Sequence, residues 1–409
     1  MDHKGGALSK IQSLDGQIIL DSRGVPTIEA TVVLEGGARG VASVPAGALT
    51  GRYEAKIQTD LTKSVNTLRT SIGPAIKGRD AIEQAKLDQY LIELDGTQDK
   101  SNLGANTILG TSLAIARAAA AARGVPLYRH IMDLYSPGMP IAHLPTPMFN
   151  LINGGVHADN NIPFQDFMIV PSGEMSFREK LEIGRRIFET LGKQLEALKL
   201  STNVGEEGGY APQFSSNEEA VEILSEAIAR AGYEPRSQVS IAIDVAAGGI
   251  ADLKAVTYPH APIDYYDRLI TEYPIETLED PFAEDDWQDW AAITGRLGPR
   301  AFITGDDLFS TNITRLGQGI ERKAANSISV KPNQIGTLSE TLQVIKLAKD
   351  ANMAVQISHR AGETEDTFIA HLAVATASQF IKAGAPNRGE RIAKYNELLR
   401  IEKQLLGEH

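Results

Sequence analysis

Short apolar runs recur along the second half of the chain, and each run ends in a residue that can bind a cation or move a proton. A helix-like segment follows each run, and successive runs end about 25 to 35 residues apart. This alternation is typical of parallel βα units with right-handed crossovers. Over roughly 260 residues it predicts a (β/α) barrel. The runs end at Asp244, Glu279, Asp306, Lys331 and His359.

The first third of the chain shows a different pattern. β-Branched residues and turn signals predict strands over residues 17–20 and 27–34, whereas apolar spacings of three and four residues predict helices between 60 and 124. A cluster of prolines then indicates a domain boundary. We therefore expect an α/β protein with an N-terminal α+β lid domain over residues 1–137 and a C-terminal (β/α)8-type barrel over residues 138–409.

Composition narrows the class of protein. Of 409 residues, 42% are hydrophobic and 22% are charged, as in soluble globular proteins. The formal net charge of −12 disfavours nucleic-acid and anionic-membrane partners. Cysteine is absent, which excludes a thiolate nucleophile, disulfides and cysteine-ligated metals. With no secretory signal and no apolar stretch long enough to span a membrane, we expect a cytoplasmic protein without membrane partners.

The ends of parallel barrel strands meet at one mouth, so the terminal residues of successive runs are expected to lie together. One charged residue at a strand end commonly marks only where solvent begins, but five in succession indicate a site. Three of the five are carboxylates, Asp244, Glu279 and Asp306, which need a cation to stay ionised side by side. Oxygen ligands suit Mg²⁺ or Mn²⁺. The sequence therefore predicts a divalent-metal triad.

The next strand end, Lys331, predicts a general base beside that metal. A partly desolvated lysine near a cation has a lowered pKa and can accept a proton. Such a base suits abstraction of a proton α to a carboxylate, because a metal ion neutralises the resulting enolate. The plainer alternative is a salt bridge between Lys331 and one of the carboxylates.

An acid that protonates a leaving group on the β-carbon should come from the other side of the mouth. The glycine-flanked pair Glu206 and Glu207 is the candidate, because repulsion and burial can keep one of two neighbouring carboxylates protonated. An exposed turn is the alternative interpretation of the same segment.

Three stretches combine acidic, basic and proline residues in a specific order: LEDPFAEDDW at 278–287, KPNQIGTL at 331–338 and SHRAGETED at 358–366. They resemble the enolase family of metal-dependent 2-phosphoglycerate dehydratases, and the resemblance spans nearly the whole chain. It implies a Mg²⁺ cofactor, a small anionic substrate with carboxylate and phosphoryl groups, phosphoenolpyruvate as the type of product, and a homo-oligomer.

The resemblance also implies a role for each residue that matches the family's motifs. These roles agree with the ones argued above for the metal, the base and the acid, and they add residues that bind substrate. The implied roles are Mg²⁺ ligands at Asp244, Glu279 and Asp306, the base at Lys331, the acid at Glu207 with help from Asp166, the carboxylate-binding lysine at Lys382, the phosphate clamp at Arg360, and active-site histidines at His157 and His359.

The chain departs from the family around the phosphoryl group. Leu49 and Ala361 stand where the family has serines that meet the second Mg²⁺ and the phosphate. Arg52 and Tyr53 precede Glu54 where the family commonly has a histidine. In addition, the family's glutamate near the acid is shortened to an aspartate at position 166. We therefore expect one firm Mg²⁺ site and a second that is weakened or altered.

Three functions remain open from the sequence. The first is ordinary dehydration of 2-phosphoglycerate. The second is a paralogue that dehydrates a modified phosphoryl or phosphonate analogue in specialised metabolism, similar to carboxyphosphonoenolpyruvate synthase. The third is a non-catalytic scaffold on an enolase fold, which the retained acid, base and metal ligands disfavour.

Overall fold

The computed structural model describes residues 8–47, 51–138, 140, 143–257 and 259–407. The N-terminal part contains β1 (Ile11–Leu20), β2 (Pro26–Leu34), β3 (Arg39–Ser43), α1 (Leu61–Thr67), α2 (Gly73–Ile76), α3 (Gln84–Asp95), α4 (Ala105–Arg123) and α5 (Leu127–Tyr135). The C-terminal part contains β4 (Thr146–Asn153), β5 (Asp166–Pro171), α6 (Phe177–Ala197), α7 (Asn217–Arg230), β6 (Val239–Asp244), α8 (Leu253–Thr257), α9 (Pro262–Glu272), β7 (Ile275–Glu279), α10 (Trp287–Leu297), β8 (Phe302–Gly305), α11 (Ile313–Arg322), β9 (Ser327–Val330), α12 (Pro332–Ile335), α13 (Leu338–Asp350), β10 (Ala354–Ser358), α14 (Phe368–Ala375), β11 (Phe380–Lys382) and α15 (Gly389–Leu405).

The N-terminal strands form an antiparallel sheet in the order β1–β2–β3. Alternate residues of β2 are fully buried, and the sheet packs against the alanine-rich helix α4. Close packing is possible because Gly40 faces this helix, where an added Cβ would lie 2.0 Å from the carbonyl oxygen of Ala114. The two predicted strands are confirmed, although β1 begins earlier than expected, at Ile11.

Eight strands close into a barrel in the order β4–β5–β6–β7–β8–β9–β10–β11, and β11 pairs back to β4. The predicted barrel and the strands that carry the five polar ends are therefore confirmed. All neighbouring strands are parallel except β5, which runs antiparallel to both β4 and β6. The expectation of a purely parallel sheet is wrong at β5, because a loop with one short 3₁₀ turn, Gly155–His157, joins β4 to β5 in place of a crossover helix.

One end of the barrel interior is closed by apolar side chains. Residues two positions apart on a strand face the same side, so this apolar layer lies directly under the polar ends of the strands. Met168 lies two residues from Asp166, for example, and Ala242 lies two residues from Asp244. The layer consists of Met148, Met168, Val170, Ala242, Ala354 and Phe380.

The N-terminal domain is fixed to the barrel by buried polar contacts. Arg117 of α4 makes two hydrogen bonds to the carboxylate of Asp366, with N–O distances of 2.8 and 2.7 Å. Ala46 and Gly362 exchange backbone hydrogen bonds of 2.8 and 2.9 Å next to the mouth of the barrel. The placement of the domain boundary at residues 137 and 138 stays a prediction.

No single helix in the described ranges has the length and apolar character of a membrane span. Two consecutive helices, Ala105–Arg123 and Leu127–Tyr135, meet those criteria only as a pair bent by 107°.

Candidate active site

The strand ends deliver a ring of polar side chains to one mouth of the barrel. Asp244, Glu279 and Lys382 are the last residues of β6, β7 and β11, while Asp306, Lys331 and His359 directly follow β8, β9 and β10. Asp166 is the first residue of β5 and pairs in register with Asp244, which in turn pairs with Glu279. The reversed direction of β5 explains this position, because the start of an antiparallel strand lies where its neighbours end.

A cavity of about 390 Å³ opens at this mouth. Most of the predicted site residues line it, and Asp166 and Glu279 are fully buried beside it. Leu49 lies outside the described residues. The predicted residues that line the cavity are His157, Glu207, Asp244, Asp306, Lys331, His359, Arg360, Ala361 and Lys382.

The carboxylates of β6 and β7 surround the ammonium group of Lys382. Lys382 Nζ lies 2.7 Å from Asp244 Oδ2 and 3.1 Å from Glu279 Oε2. Glu279 Oε1 is buried and has no hydrogen-bond partner among the described residues. Burial raises the pKa of Glu279 to about 7; Lys382 opposes this rise, and the neighbouring Asp244 and Asp306 add to it. An oxygen-only donor set with an unpaired buried oxygen fits a hard divalent cation.

Metal-capable side chains also cluster in two tighter groups. Within the described residues, three ligand atoms lie inside 4.8 Å of one another in His157–Asp166–Glu207 and in Asp280–Asp306–Asp307. The predicted triad Asp244–Glu279–Asp306 does not form such a group, and it shares Asp306 with the second one. The triad therefore stays a prediction.

Lys331 forms an ion pair with Asp306, and its backbone N–H donates to the Thr311 hydroxyl over 2.9 Å. Burial lowers the pKa of Lys331, but the carboxylates around it, Asp306 first and then Glu279, together raise this pKa above its ordinary value. The lowered pKa expected for Lys331 is that of a lysine beside a bound cation, and it stays a prediction. The salt bridge that the sequence left as an alternative is present.

The opposite side of the cavity holds a compact polar cluster. His157 Nδ1 lies 3.1 Å from Asp166 Oδ1 and 3.6 Å from Glu207 Oε1. Asn150 Nδ2 joins the two carboxylates, donating to Asp166 Oδ1 over 2.8 Å and to Glu207 Oε2 over 2.9 Å. Burial lowers the pKa of His157, but Glu207 and Asp166 outweigh it and raise this pKa to about 9. His157 therefore carries a positive charge between two carboxylates.

Glu206 and Glu207 are separated by the fold. Glu207 lines the main cavity, whereas Glu206 lines a neighbouring one, so repulsion between them does not protonate Glu207. Burial raises the pKa of Glu207, but His359, His157 and Lys382 together hold it well below its ordinary value. The expectation that Glu207 stays protonated is wrong in this arrangement, because cationic and N–H donor groups surround its carboxylate.

A residue of the N-terminal domain reaches the predicted phosphate clamp. Arg360 Nη1 and Nη2 donate to the two carboxylate oxygens of Glu54 over 3.1 and 3.0 Å, and Nη1 also lies 3.4 Å from Asn333 Oδ1. Ala361 also lines the cavity, next to Arg360. Its carbonyl oxygen accepts a hydrogen bond of 3.2 Å from the Ser22 hydroxyl.

Models of two protein families match the chain. The N-terminal domain of enolase matches residues 11–131, and the C-terminal TIM barrel domain of enolase matches residues 141–409. The chain belongs to the enolase family. This confirms the resemblance drawn from the motifs, and it places the protein among enolase-superfamily lyases. Mg²⁺ is the metal that the enolase family typically uses, and the carboxylate clusters of the barrel are compatible with it.

Sequence reasoning missed two acidic residues of this enolase-type site. Asp280 and Asp307 line the cavity and lie in one cluster with Asp306. Asp280 accepts backbone hydrogen bonds from Asp306 and Asp307 over 2.9 and 2.8 Å, and so fixes the turn after β8. Burial and the neighbouring Asp306 raise the pKa of Asp307 to about 6. Their position directly after two predicted ligands was a signal that could have identified them.

Proposed function

We propose that the protein is a magnesium-dependent lyase that removes a proton α to a carboxylate and then eliminates a β-hydroxyl. The product is an enolpyruvate, as in the conversion of 2-phosphoglycerate to phosphoenolpyruvate. One observation carries the proposal: Lys331 and the Glu207–Asp166 pair line or adjoin the same cavity from opposite sides. Lys331 follows β9 and Asp166 begins β5, and these strands lie four apart in a ring of eight.

Asp244, Glu279 and Asp306 would hold the cation. A bound Mg²⁺ supplies positive charge that offsets the three carboxylates and the charge that develops on an enolate. Lys331 Nζ would accept the α-proton as a neutral amine, once a cation on Asp306 has replaced the Lys331–Asp306 ion pair. Lys382 Nζ, at the end of β11, supplies a second positive charge for the substrate carboxylate.

Glu207 acts in the elimination step. Because its carboxylate is ionised at rest, Glu207 first has to take up a proton, and the cationic His157 at 3.6 Å is the proposed source. Glu207 then delivers that proton to the departing β-hydroxyl, which leaves as water. Asn150 holds Glu207 and Asp166 in fixed positions, so the acid does not have to be reoriented during the reaction. Acid–base catalysis of this kind is typically worth about 10²- to 10⁴-fold.

The test uses the full chain with 2-phosphoglycerate in D₂O. Nuclear magnetic resonance measures exchange of the α-proton, and ultraviolet absorbance measures formation of the enolpyruvate, each with Mg²⁺ and with a chelator. We expect both signals with Mg²⁺ and neither with the chelator. Absence of exchange and elimination with 2-phosphoglycerate and with phosphonate analogues, at saturating Mg²⁺, would refute the proposal.

A paralogue that acts on a modified phosphoryl or phosphonate analogue is the second candidate. The observation that favours it is that Ala361 lines the cavity beside Arg360 and lacks the hydroxyl of the serine that the family has there. This candidate predicts faster turnover of the analogue than of 2-phosphoglycerate. It also predicts that the double variant Leu49→Ser/Ala361→Ser gains activity on 2-phosphoglycerate, and a double variant without this gain counts against it.

A non-catalytic scaffold is the third candidate, and it predicts no Mg²⁺ binding by calorimetry. The one firm Mg²⁺ site, the weakened second site, the homo-oligomer and the cytoplasmic location stay predictions that rest on the family. Mg²⁺ titration and sedimentation analysis of the full chain test the sites and the oligomer.

A further inference from the structure

Arg391 of α15 is a fully buried arginine next to the active site. Its Nη1 donates to His359 Nδ1 over 2.7 Å and to the Arg360 carbonyl over 2.7 Å. Its Nη2 donates to the carbonyls of Ala361 over 2.6 Å and Glu206 over 3.1 Å. The guanidinium group therefore contacts both segments that flank the predicted acid and the predicted phosphate clamp.

The absence of a side chain at Gly384 leaves room for the Arg391 side chain. Gly384 follows β11 with a φ of +89°, and an added Cβ there would lie 2.7 Å from Arg391 Cδ. The same Cβ would lie 2.8 Å from the carbonyl oxygen of Glu207. A residue larger than glycine would displace the arginine from the imidazole.

The hydrogen bond to His359 determines where the imidazole carries its proton. A guanidinium group has N–H donors and no acceptor, so His359 Nδ1 has to be the acceptor. The proton of the neutral ring is then on Nε2, which lies 3.0 Å from Glu207 Oε2 without being aligned for a hydrogen bond to it. Protonation of Nδ1 as well would direct an N–H group at the cationic arginine.

We propose that Arg391 is a positioning residue that fixes the Nε2–H tautomer of His359, so that a neutral N–H group always faces Glu207. Glu207 then lies between two histidines in different states, with the cationic His157 on one side and the neutral His359 on the other. The assignment of the tautomer depends only on the contacts of His359 in this chain, whereas the use of the tautomer in elimination rests on the proposed function.

The surroundings of His359 support a neutral ring. Burial lowers the pKa of His359 to about 4; Glu207 opposes this, Arg391 adds to it, and Glu363 opposes it. The carboxylate of Glu363 is itself paired with Lys394 Nζ at 2.8 Å.

A competing explanation is that Arg391 serves only to tie backbone carbonyls together. Lys394 supplies the matched control, because it is also fully buried, lies one turn further along α15 and donates to Glu363 Oε2 and the Thr364 carbonyl. Its side chain binds the same loop but does not contact His359 in the structure described.

The first measurement needs no variant at Arg391. The full chain is labelled with ¹⁵N-histidine, and long-range ¹H–¹⁵N correlation spectra report the proton on each ring nitrogen. The chain has 8 histidines, and the His359 signal is assigned by its loss in His359→Gln. We expect a neutral ring with hydrogen on Nε2 throughout about pH 6 to 8, on either side of the ordinary histidine pKa. A proton on Nδ1, alone or with Nε2, overturns the proposal.

Variants then test whether Arg391 is the cause. We expect Arg391→Met to give a mixture of the Nδ1–H and Nε2–H tautomers, because no donor then faces Nδ1. Arg391→Lys, which keeps a cationic donor, restores the Nε2–H form, and Lys394→Met leaves it unchanged. A folded Arg391→Met that keeps a neutral Nε2–H ring overturns the proposal; if that variant does not fold, the wild-type spectrum decides. These spectra need no turnover, so they remain valid if the protein proves inactive on 2-phosphoglycerate.

Discussion

Lys331 and Glu207 approach the cavity from opposite sides, so single substitutions can separate their roles. We expect Lys331→Ala to lose α-proton exchange by about 10²- to 10⁴-fold, because the other amine of the cavity, Lys382, is bonded to Asp244 and Glu279. Mg²⁺ binding should persist, since the ammonium group is not an oxygen ligand. Deuterium exchange and Mg²⁺ calorimetry on the same protein measure the two effects. Wild-type exchange in Lys331→Ala would show that Lys331 is not the base.

Glu207→Gln is expected to block elimination and to spare exchange. The amide keeps the size of the side chain and its hydrogen bond from Asn150, but it cannot deliver a proton. Exchange without product in the same sample is the measurement. Lys349→Ala serves as control, because Lys349 donates to the carbonyls of Thr376 and Ala377 away from the cavity and should keep both signals. Loss of exchange in Glu207→Gln would contradict separate roles.

At the same scale, Arg391 shows what sequence reasoning could not find. The strand-end residues were predictable, because a polar residue after an apolar run is a local signal. Arg391 lies in a helix with many charged residues, where an arginine is normally exposed. Only the fold shows that α15 directs this side chain at His359. Contacts between distant segments have no signal in a local pattern.

At the scale of elements, the loop that carries Arg52 and Tyr53 (the lid loop) is attached to the barrel through Asp285. Tyr53 Oη lies 2.8 Å from Asp285 Oδ1, Arg52 Nη1 donates to Oδ2 over 3.0 Å, and Arg315 stacks over the Tyr53 ring at 3.6 Å. We expect Asp285→Ala to raise KM by about two- to fivefold. This corresponds to losing about 0.5–1 kcal/mol of binding free energy, which is typical of partly exposed ionic contacts. Steady-state kinetics should show little change in kcat, because the variant removes the attachment of this loop and leaves the reacting groups in place.

Arg322→Met is the matched control for this prediction. Arg322 faces Trp287 at 5.1 Å on the same surface, but the described contacts do not join it to the lid loop. Its KM should stay at the wild-type value. An unchanged KM in Asp285→Ala would show that the attachment does not contribute to substrate binding.

Hydrophobic periodicity along the chain does not predict the direction of a strand. Five barrel strands were predicted from apolar runs, but a run has no direction, so the antiparallel course of β5 was not predictable. The consequence for the site is direct, since Asp166 reaches the mouth only because β5 is reversed. The assignment of Asp166 came from the family resemblance and not from strand ends.

At the scale of the whole molecule, the joint between the two domains depends on a buried ion pair. The carboxylate of Asp366 accepts two hydrogen bonds from Arg117 and backbone hydrogen bonds from Ser43 and Phe368 over 3.0 and 2.8 Å. Burial raises the pKa of Asp366, but Arg117 and these N–H groups hold it below its ordinary value. No local pattern predicts this pair, because its members are 249 residues apart along the chain.

Removing one partner leaves a buried charge without compensation, which typically costs about 3–5 kcal/mol. We expect Arg117→Met to lower the free energy of unfolding by about 3 kcal/mol, the lower end of that range, because the arginine is 21% exposed. The double variant Arg117→Met/Asp366→Asn should recover part of the loss, since the amide needs no counter-charge.

The same pair predicts a dependence on pH. Because the pKa of Asp366 is lower in the folded than in the unfolded state, the wild-type pair stabilises the protein at pH values above the unfolded-state pKa. This advantage disappears as the pH falls through the folded pKa, so the wild-type and Arg117→Met stabilities should converge in acid. Denaturant unfolding at several pH values measures both effects, and equal losses in the single and double variants at neutral pH would show that the charge of Asp366 is not the cause.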